Sequence, residues 1–464
     1  MSFQLQLLVD ALRAQRERYE RTKVASSLLS AIARKLPEEF FSSPSSYVEP
    51  LEPLDALPPR VPRFPSAAQA KRWVFENFDE FVWIGVDGSQ IMPSGMTRQG
   101  LAVQTGICVY SFEGKGRNKH NVARQWRVVR AVTTPRPGFL FPDVNSERYI
   151  QEIEHARCIV SYMLDGKFPC DECMVRLDYC PNRMQDLSPL SGKENVMLMV
   201  DFPLEPSWIK QTMGRFGPRR ELLIQVHKRI LDLRRDIFLV GITHGSLAKD
   251  YISTIIDQFD DALWEKVPST HMQDLIRTIE NWKDNFPEEA EELVREWAER
   301  TGHELGTSPL AYLTAILESP EIRGLITDFD GLGSYFDASG DRSPAFKCKR
   351  KDMEDFGFGY VTGYYFMPWG GFLKEDGCVR ANDWIRVGFG IRRGLGERGD
   401  SSLIDSLHGG VIAQIILGHG TPLVLSRAHL LAADYRVRKR LTELMIRVLG
   451  AYPTHKTLRK VKTV

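Results

Sequence analysis

The sequence predicts an α/β fold with a mixed β-sheet flanked by helices. Two apolar runs, 82–86 and 196–200, each end at an aspartate, Asp87 and Asp201, and short apolar runs bounded by turn residues are typical of buried strands. Between these runs the pattern predicts two more strands and a helix, and after them a helix and another strand. This order is typical of a mixed sheet covered by helices, and it makes the strands that end at Asp87 and Asp201 neighbours.

The predicted elements divide the chain into six segments. An amphipathic N-terminal helix has an apolar stripe without a core of its own, so we expect it to serve assembly. A Pro- and Ser-rich stretch follows, and a charged helical insertion separates two parts of the core. The segments are 1–36 (N-terminal helix), 37–79 (linker and lead-in helix), 80–258 (first part of the core, with a Cys-rich insert at 165–194), 259–320 (helical insertion), 321–450 (second part, with closing helices at about 401–417 and 425–449) and 451–464 (basic tail).

The composition is that of a globular protein from a reducing compartment. The 464 residues are 43% hydrophobic and 26% charged, with a net charge of +1, so a surface for an acidic partner must be a local patch. The sequence has no apolar run of membrane-spanning length, and its charged N-terminus is unlike a signal peptide. Seven widely spread cysteines indicate reduced thiols. We therefore expect a cytoplasmic protein that does not bind membranes.

Three cysteines lie close together in the insert. Cys170 and Cys173 have the CxxC spacing of zinc ligands, Cys180 follows, and Cys158 lies upstream. A structural zinc site usually needs a second close pair of cysteines or histidines, and here the further cysteines are single. The pattern favours free thiols over a structural zinc site.

The two strand-end aspartates indicate a metal site. A lone carboxylate is too costly to bury, so Asp87 and Asp201 are expected to face a polar cleft. Two carboxylates there would repel each other unless a cation lay between them, and Mg²⁺ and Mn²⁺ accept carboxylate oxygens in this way. In the alternative interpretation, each aspartate only ends its strand in a turn.

The helix predicted at 146–164 offers a third carboxylate. Because helical residues are about 100° apart, Glu152 lies at the edge of the apolar face and Glu154 points away. Glu152 is therefore the better candidate for an inward-reaching carboxylate. A surface ion pair with Arg148, four residues earlier, would explain Glu152 equally well.

His429 lies near the start of the predicted last helix, in the segment TPLVLSRAHLLAADYR. Its imidazole is suited to complete a metal shell or to transfer a proton near neutral pH. A packing or helix-capping role is the alternative.

Taken in order, several motifs resemble those of the NurA nuclease family. The resemblance covers roughly residues 80–450 in widely spaced pieces, and the C-terminal piece is the most specific. The motifs are VDGS at 86–89, VDxPL at 200–204, DRSPAF at 341–346, IRV at 385–387 and GHGTPLVLSRAH at 418–429.

The resemblance implies an RNase H-like fold and a deoxyribonuclease that hydrolyses phosphodiester bonds with two Mn²⁺ or Mg²⁺ ions. Such an enzyme would be an exonuclease, a single-strand endonuclease or both. NurA proteins form dimers that dock on the hexameric HerA ATPase, which implies a homodimer and a HerA-type partner in DNA end processing or phage defence. By position, the metal and catalytic roles fall on Asp87, Glu152, Asp201 and His429, and DNA-phosphate contacts fall on Arg342 and Arg386.

Two other functional classes stay open. An actin- or sugar-kinase-like ATPase would use VDGSQ as a phosphate-binding turn, but Phe202-Pro203-Leu204 is not the second Gly-rich loop that this class needs, and its proline lacks an N–H donor. A DNA-binding scaffold with a degenerate site is the second class. ATP hydrolysis would favour the first class, and DNA binding without metal-dependent cleavage would favour the second.

Overall fold

The structure, a computed structural model, forms two compact units. The sheet unit comprises Val61–Thr243, Arg350–Gly363 and Pro368–Val464, and the helical unit comprises Met1–Arg60, His244–Lys349 and Tyr364–Met367. No described helix has both the length and the apolar character needed to cross a bilayer. The structure describes residues 12–13, 15–16, 18–31, 51–53, 64, 66–91, 100–114, 118–133, 141–173, 175, 180–202, 204, 218–233, 237–244, 269–302, 308–320, 326–328, 340, 342–343, 345–349, 360–366, 385–390 and 401–449.

The helices and strands follow one another much as the sequence predicts. The helices are α1 (18–31), α2 (Ala67–Asn77), α3 (Phe141–Asp165), α4 (Pro218–Asp232), α5 (Ser269–Asn285), α6 (Pro287–Thr301), α7 (Pro309–Glu318), α8 (Ser401–Leu417), α9 (Leu423–Ala432) and α10 (Tyr435–Leu449). The strands are β1 (Leu51–Pro53), β2 (Val82–Ile91), β3 (Gly100–Glu113), β4 (His120–Thr133), β5 (Val196–Val200), β6 (Phe238–His244), β7 (Phe346–Lys349), β8 (Tyr360–Phe366) and β9 (Ile385–Gly390).

Six strands of the sheet unit lie in the order β4-β3-β2-β5-β6-β9. β3 runs antiparallel to both β2 and β4, whereas β5 runs parallel to β2 and β6. The predicted α/β class with a mixed sheet is therefore confirmed. The five strands β2 to β6 are arranged in the order of an RNase H-like core. In the β2–β5 register Val86 is opposite Val200, so Asp87 and Asp201 follow neighbouring positions. β5 ends there, but β2 continues to Ile91 and stays paired with β3, so the prediction that the first strand ends at Asp87 is wrong.

Helix α3 covers one face of this sheet. Its predicted apolar face is buried, since Tyr149, Ile153, Ala156, Val160 and Met163 join a core with alternate residues of β2 and β5. The helix also packs on α4. Polar residues of α3 are buried as well: Gln151 Nε2 donates to Thr105 Oγ1 of β3 at 2.9 Å, and His155 Nδ1 lies 3.0 Å from Asn182 Nδ2 of the insert.

The predicted last helix is in fact two helices, so the expected span 425–449 is wrong. Asp434 breaks it, because its Oδ1 accepts the backbone N–H groups of Arg436 (2.9 Å) and Val437 (3.4 Å) and so caps the start of α10. Arg127 Nη2 also donates to Asp434 Oδ2 at 3.1 Å. His429 therefore lies in the last turn of α9 rather than near the start of a long closing helix.

The helical unit contains most of the predicted helical insertion as α5, α6 and α7, which pack on one another. Within this unit Leu28 and Leu29 of the stripe are buried, as are the nearby Val24 and Ala25, so the premise that the stripe lacks a core is wrong for these residues. Leu12 of the stripe is 56% exposed. Leu5, Leu8, Val9 and Ile32 of the stripe lie outside the described residues, and the assembly role stays a prediction.

The predicted linker contains a short strand. β1 pairs antiparallel with β7, with Leu51 opposite Cys348. β1 is thus an edge strand whose backbone pairs with β7 on one side, which the Pro-rich composition of the segment did not indicate. The basic tail at 451–464 lies outside the described residues.

Candidate active site

Asp87 lies in β2 and is held at both carboxylate oxygens. Its side chain is 7% exposed, Oδ1 accepts the N–H of Gly88 at 2.7 Å, and Oδ2 lies 2.7 Å from His429 Nδ1. Because side chains alternate along a strand, Asp87 faces α9 while Val86 faces the α3 side. The structure thus brings Asp87 and His429 together, and their shared role in a metal site stays a prediction.

Close packing of α9 on the sheet brings His429 to Asp87. Gly106 of β3 is paired with Asp87 in the register, and a side chain there would overlap the carbonyl of Ala428. The end of α9 is also held by Arg127 Nε, which donates to the Leu431 carbonyl at 2.6 Å, and by a hydrogen bond from Ser89 Oγ to Ala432 O. The imidazole of His429 stays 63% exposed, so one edge of it is open to solvent.

Glu152 reaches the same end of the sheet from α3. Its carboxylate lies where a side chain at Gly88 would be, because a Cβ there would overlap Glu152 Oε1. Burial, with the negative charges of Asp87 and Asp201 adding to it, raises the pKa of Glu152 to about 8, although the charge of Arg148 works against this. The third carboxylate therefore lies within electrostatic reach of both aspartates.

Arg148 forms an ion pair with Glu152, as the alternative interpretation predicts. The pair does not lie on the surface, because Glu152 is buried. Arg148 Nη1 lies 3.1 Å from Glu152 Oε1, and the side chains are 31% and 3% exposed, respectively. The same Nη1 donates to the carbonyl of Gly88 at 3.1 Å. Glu152 Oε1 is buried and accepts no well-formed hydrogen bond from the described residues, so its ionised form is poorly stabilised, in agreement with the raised pKa.

Asp201 directly follows β5 and is exposed. The next residue, Phe202, is buried and packs edge-on against Tyr149, with 4.8 Å between ring centroids. Tyr149 in turn hydrogen-bonds His227 Nδ1. This buried group fixes the backbone beside Asp201 and the turn of α3 that precedes Glu152.

Glu154, the less favoured candidate, is engaged elsewhere. It is buried, and it forms ion pairs with Arg157 at 3.2 Å and Arg229 at 3.5 Å. The expectation that Glu154 faces away from the metal site agrees with these contacts. Glu154 is nevertheless buried, because α4 and the insert cover that side of the helix.

The two arginines assigned to DNA phosphates belong to different units of the chain. Arg342 belongs to the helical unit, where it is buried and its Nη1 donates to the Ser343 carbonyl at 3.0 Å. Arg386 lies on β9 of the sheet unit, and its side chain is outside the described residues. Arg148, which sequence reasoning treated only as a partner of Glu152, is the arginine that the structure brings to the carboxylates.

The Cys-rich insert packs beside α3, away from the acidic group. Arg183 Nε donates to Cys170 Sγ at 2.9 Å, and the described thiols of Cys158, Cys170, Cys173 and Cys180 are free. Burial raises the pKa of Cys158 to about 12, which keeps it protonated. The preference for free thiols over zinc stays a prediction.

The donor set at the sheet end is suited to a hard divalent cation. It consists of carboxylates and one imidazole, the ligands that Mg²⁺ and Mn²⁺ accept. Among the described residues, no three side chains of His, Cys, Asp or Glu lie close enough together to hold a metal ion. The carboxylates would therefore have to draw together around a cation.

Comparison with known proteins gives structural similarity without sequence similarity. No family model matches the chain, and no curated protein matches it. The NurA nuclease from Sulfolobus solfataricus is similar over 97% of both chains, with 10% sequence identity and a TM-score of 0.40. A second structure, described as NurA, covers 89% of this chain and 96% of its own, with 11% identity and a TM-score of 0.23. At such values the similarities support no statement on activity, so the function has to be argued from the site itself.

Proposed function

We propose that this chain is a metal-dependent DNA nuclease whose active site consists of Asp87, Glu152, Asp201 and His429. The observation that carries the proposal is the buried Glu152, which lies beside two aspartates and has its pKa raised to about 8. Burying an ionisable carboxyl beside two aspartates costs stability, so a functional reason for the arrangement is expected. A carboxyl whose pKa is strongly perturbed is typical of functional sites.

The proposed ligands of the metal are the three carboxylates, with His429 as a fourth. Two Mn²⁺ or Mg²⁺ ions would supply activation of water and stabilisation of the leaving oxygen in phosphodiester hydrolysis. Asp87 is the candidate bridging residue, because its Oδ2 contacts His429 and its charge contributes to the raised pKa of Glu152. The Gly88 N–H bond to Oδ1 orients this carboxylate, as hydrogen bonds to ligands usually do.

His429 has a role that follows from its tautomer. If Nδ1 carries the proton that is donated to Asp87 Oδ2, Nε2 is left with its lone pair. Nε2 can then accept a proton from water or bind a cation, and the exposure of the ring lets substrate reach it. Asp87 thus orients the imidazole in addition to any metal it holds.

The substrate and partners of the proposal are DNA, a second copy of the chain and a HerA-type hexameric ATPase. The ordered motifs from VDGS to GHGTPLVLSRAH support them, and DNA end processing and phage defence are the processes such an assembly would serve. Arg342 and Arg386 stay proposed DNA-phosphate contacts. Light scattering and co-purification with a HerA-type hexamer test the assembly, and a monomer without affinity for the hexamer would contradict it.

Cleavage of end-labelled single- and double-stranded DNA tests the activity. The purified chain should degrade DNA with Mn²⁺ or Mg²⁺ and stop when EDTA is added, and Asp87→Ala should be inactive. ATP hydrolysis without DNA cleavage would favour an actin- or sugar-kinase-like ATPase instead. Tight DNA binding by the parent without cleavage under any metal would favour a scaffold with a degenerate site.

A further inference from the structure

We propose that Arg148 binds a phosphate of the DNA substrate beside the acidic site. The inference rests on the proposed function and adds a substrate contact that neither the motifs nor Arg342 and Arg386 provide. Three observations support it: the position of the Arg148 guanidinium, the N–H groups that its contacts leave unused, and the charges of the neighbouring groups.

The position of Arg148 is fixed by its helix. It lies one turn before Glu152 on α3, and its Nη1 makes both described contacts of the guanidinium, one with Glu152 Oε1 and one with the Gly88 carbonyl, each at 3.1 Å. Glu152 is buried, whereas Arg148 is 31% exposed. The guanidinium therefore lies on the solvent side of the buried carboxylate, between it and an approaching substrate.

The contacts of Arg148 leave some of its N–H donors available to bind a substrate. An arginine has five N–H donors in a planar fork, and among the described residues Nη2 has no hydrogen bond or ion pair. If a divalent cation takes Glu152, Nη1 loses its charged partner and keeps the neutral Gly88 carbonyl. The guanidinium then carries an unpaired positive charge next to a site that must receive a phosphodiester.

The chemistry of the substrate matches this arrangement. The phosphodiester of the substrate is anionic, and a cationic fork at the edge of the acidic site attracts it. Arginine binds phosphate oxygens through paired N–H donors, with geometric as well as electrostatic selectivity. An arginine kept only to neutralise Glu152 would need neither the exposure nor the unused Nη2.

The test compares Arg148→Gln and Arg148→Lys with Arg130→Gln as a matched control. Arg130 is 29% exposed and pairs with another glutamate of α3, Glu147, at 3.3 Å. Single-strand oligonucleotide binding is measured against NaCl concentration in an Asp87→Asn background, and cleavage kinetics are measured in the otherwise unchanged protein. Thermal melts establish that each variant is folded, and Arg148→Lys keeps the charge should Arg148→Gln fail to fold.

Arg148→Gln should weaken oligonucleotide binding and raise KM more than it lowers kcat. The slope of log affinity against log salt should fall by about 0.7, the value for one phosphate contact on single strands. Arg148→Lys should keep that slope and still bind less tightly. The Mn²⁺ concentration for half-maximal activity should change as well, because Arg148 lowers the pKa of Glu152, so the salt slope is the measurement that reports phosphate binding.

Two results would overturn the inference. In the first, Arg148→Gln keeps the parent salt slope and changes only the Mn²⁺ requirement, which would make Arg148 a partner of Glu152 alone. In the second, Arg130→Gln lowers the slope as much as Arg148→Gln. A parent that binds DNA without cleaving it would instead refute the proposed nuclease activity, and the salt slopes would still report on Arg148.

Discussion

His429 Nδ1 lies 2.7 Å from Asp87 Oδ2, although 342 positions separate the two residues in the chain. The contact joins β2, the first strand of the sheet unit, to the last turn of α9. It depends on glycine at 106, because a side chain there would push α9 away from the sheet. We propose that Asp87 and His429 act as one pair, in which the carboxylate orients the imidazole.

His429→Ala should lower the rate of DNA cleavage by roughly 10²-fold or more, the usual scale for loss of a general acid–base group. His429→Asp should recover part of the activity, because a carboxylate can still bind Mn²⁺. His120→Ala, at an exposed histidine of β4, is the control and should cleave like the parent. Parent-like cleavage by His429→Ala would make His429 a packing residue.

Asp87→Ala and Asp201→Ala should each abolish Mn²⁺-dependent cleavage without unfolding the protein. Removing either carboxylate removes a proposed ligand, but it also relieves repulsion on the buried Glu152, so the thermal midpoint should hold or rise. Asp165→Ala, at an exposed aspartate that ends α3, serves as the control in cleavage assays and thermal melts. A folded Asp87→Ala protein that still cleaves DNA would refute the assignment.

The burial of the Glu152 carboxyl should make the free energy of unfolding depend on pH. The pKa of Glu152 rises from its ordinary value of 4.5 to about 8, so between these values the folded protein holds a proton that the unfolded chain releases. The metal-free free energy of unfolding should therefore fall as pH rises from 4.5 to about 8, and then level off. Denaturant titrations should find that Glu152→Gln loses this decline, and an unchanged slope would contradict the burial of Glu152.

Gly88→Ala should disable the site through Glu152. The added methyl group would overlap Glu152 Oε1, and overpacking of this kind costs about 1–3 kcal/mol. We expect a lower thermal midpoint and at least about a tenfold loss of cleavage. Adding Glu152→Ala should restore the midpoint without restoring cleavage, and a double variant no more stable than Gly88→Ala would show that the two residues do not collide.

Much of the fold follows from the sequence because the apolar patterns are strong. The runs before Asp87 and Asp201 are buried strands, their adjacency follows from strand order, and the face of α3 follows from helical spacing. The break at Asp434 was missed, since the apolar pattern continues through it and the cap is a local hydrogen bond. The burial of Leu28 and Leu29 on α1 is not predicted, because packing between helices that are distant in the chain produces no local sequence pattern.

The site is predictable in its residue types and not in its contacts. Strand ends indicated Asp87 and Asp201, and helical spacing preferred Glu152 to Glu154. The burial of Glu152 depends on glycine at 88 in a different element, which no spacing rule includes. The position of Arg148 on the solvent side of that carboxylate likewise needed the packed helix and sheet.

Direct measurement of Mn²⁺ binding tests the central claim that Asp87, Glu152 and Asp201 form a metal site. Calorimetric or electron paramagnetic resonance titration of the metal-free protein at pH 8 should detect two bound Mn²⁺ ions, with affinity falling at lower pH as Glu152 takes up its proton. Asp87→Asn should lose this binding, and Asp165→Asn should keep it. Equal Mn²⁺ binding by the parent and Asp87→Asn would contradict the account.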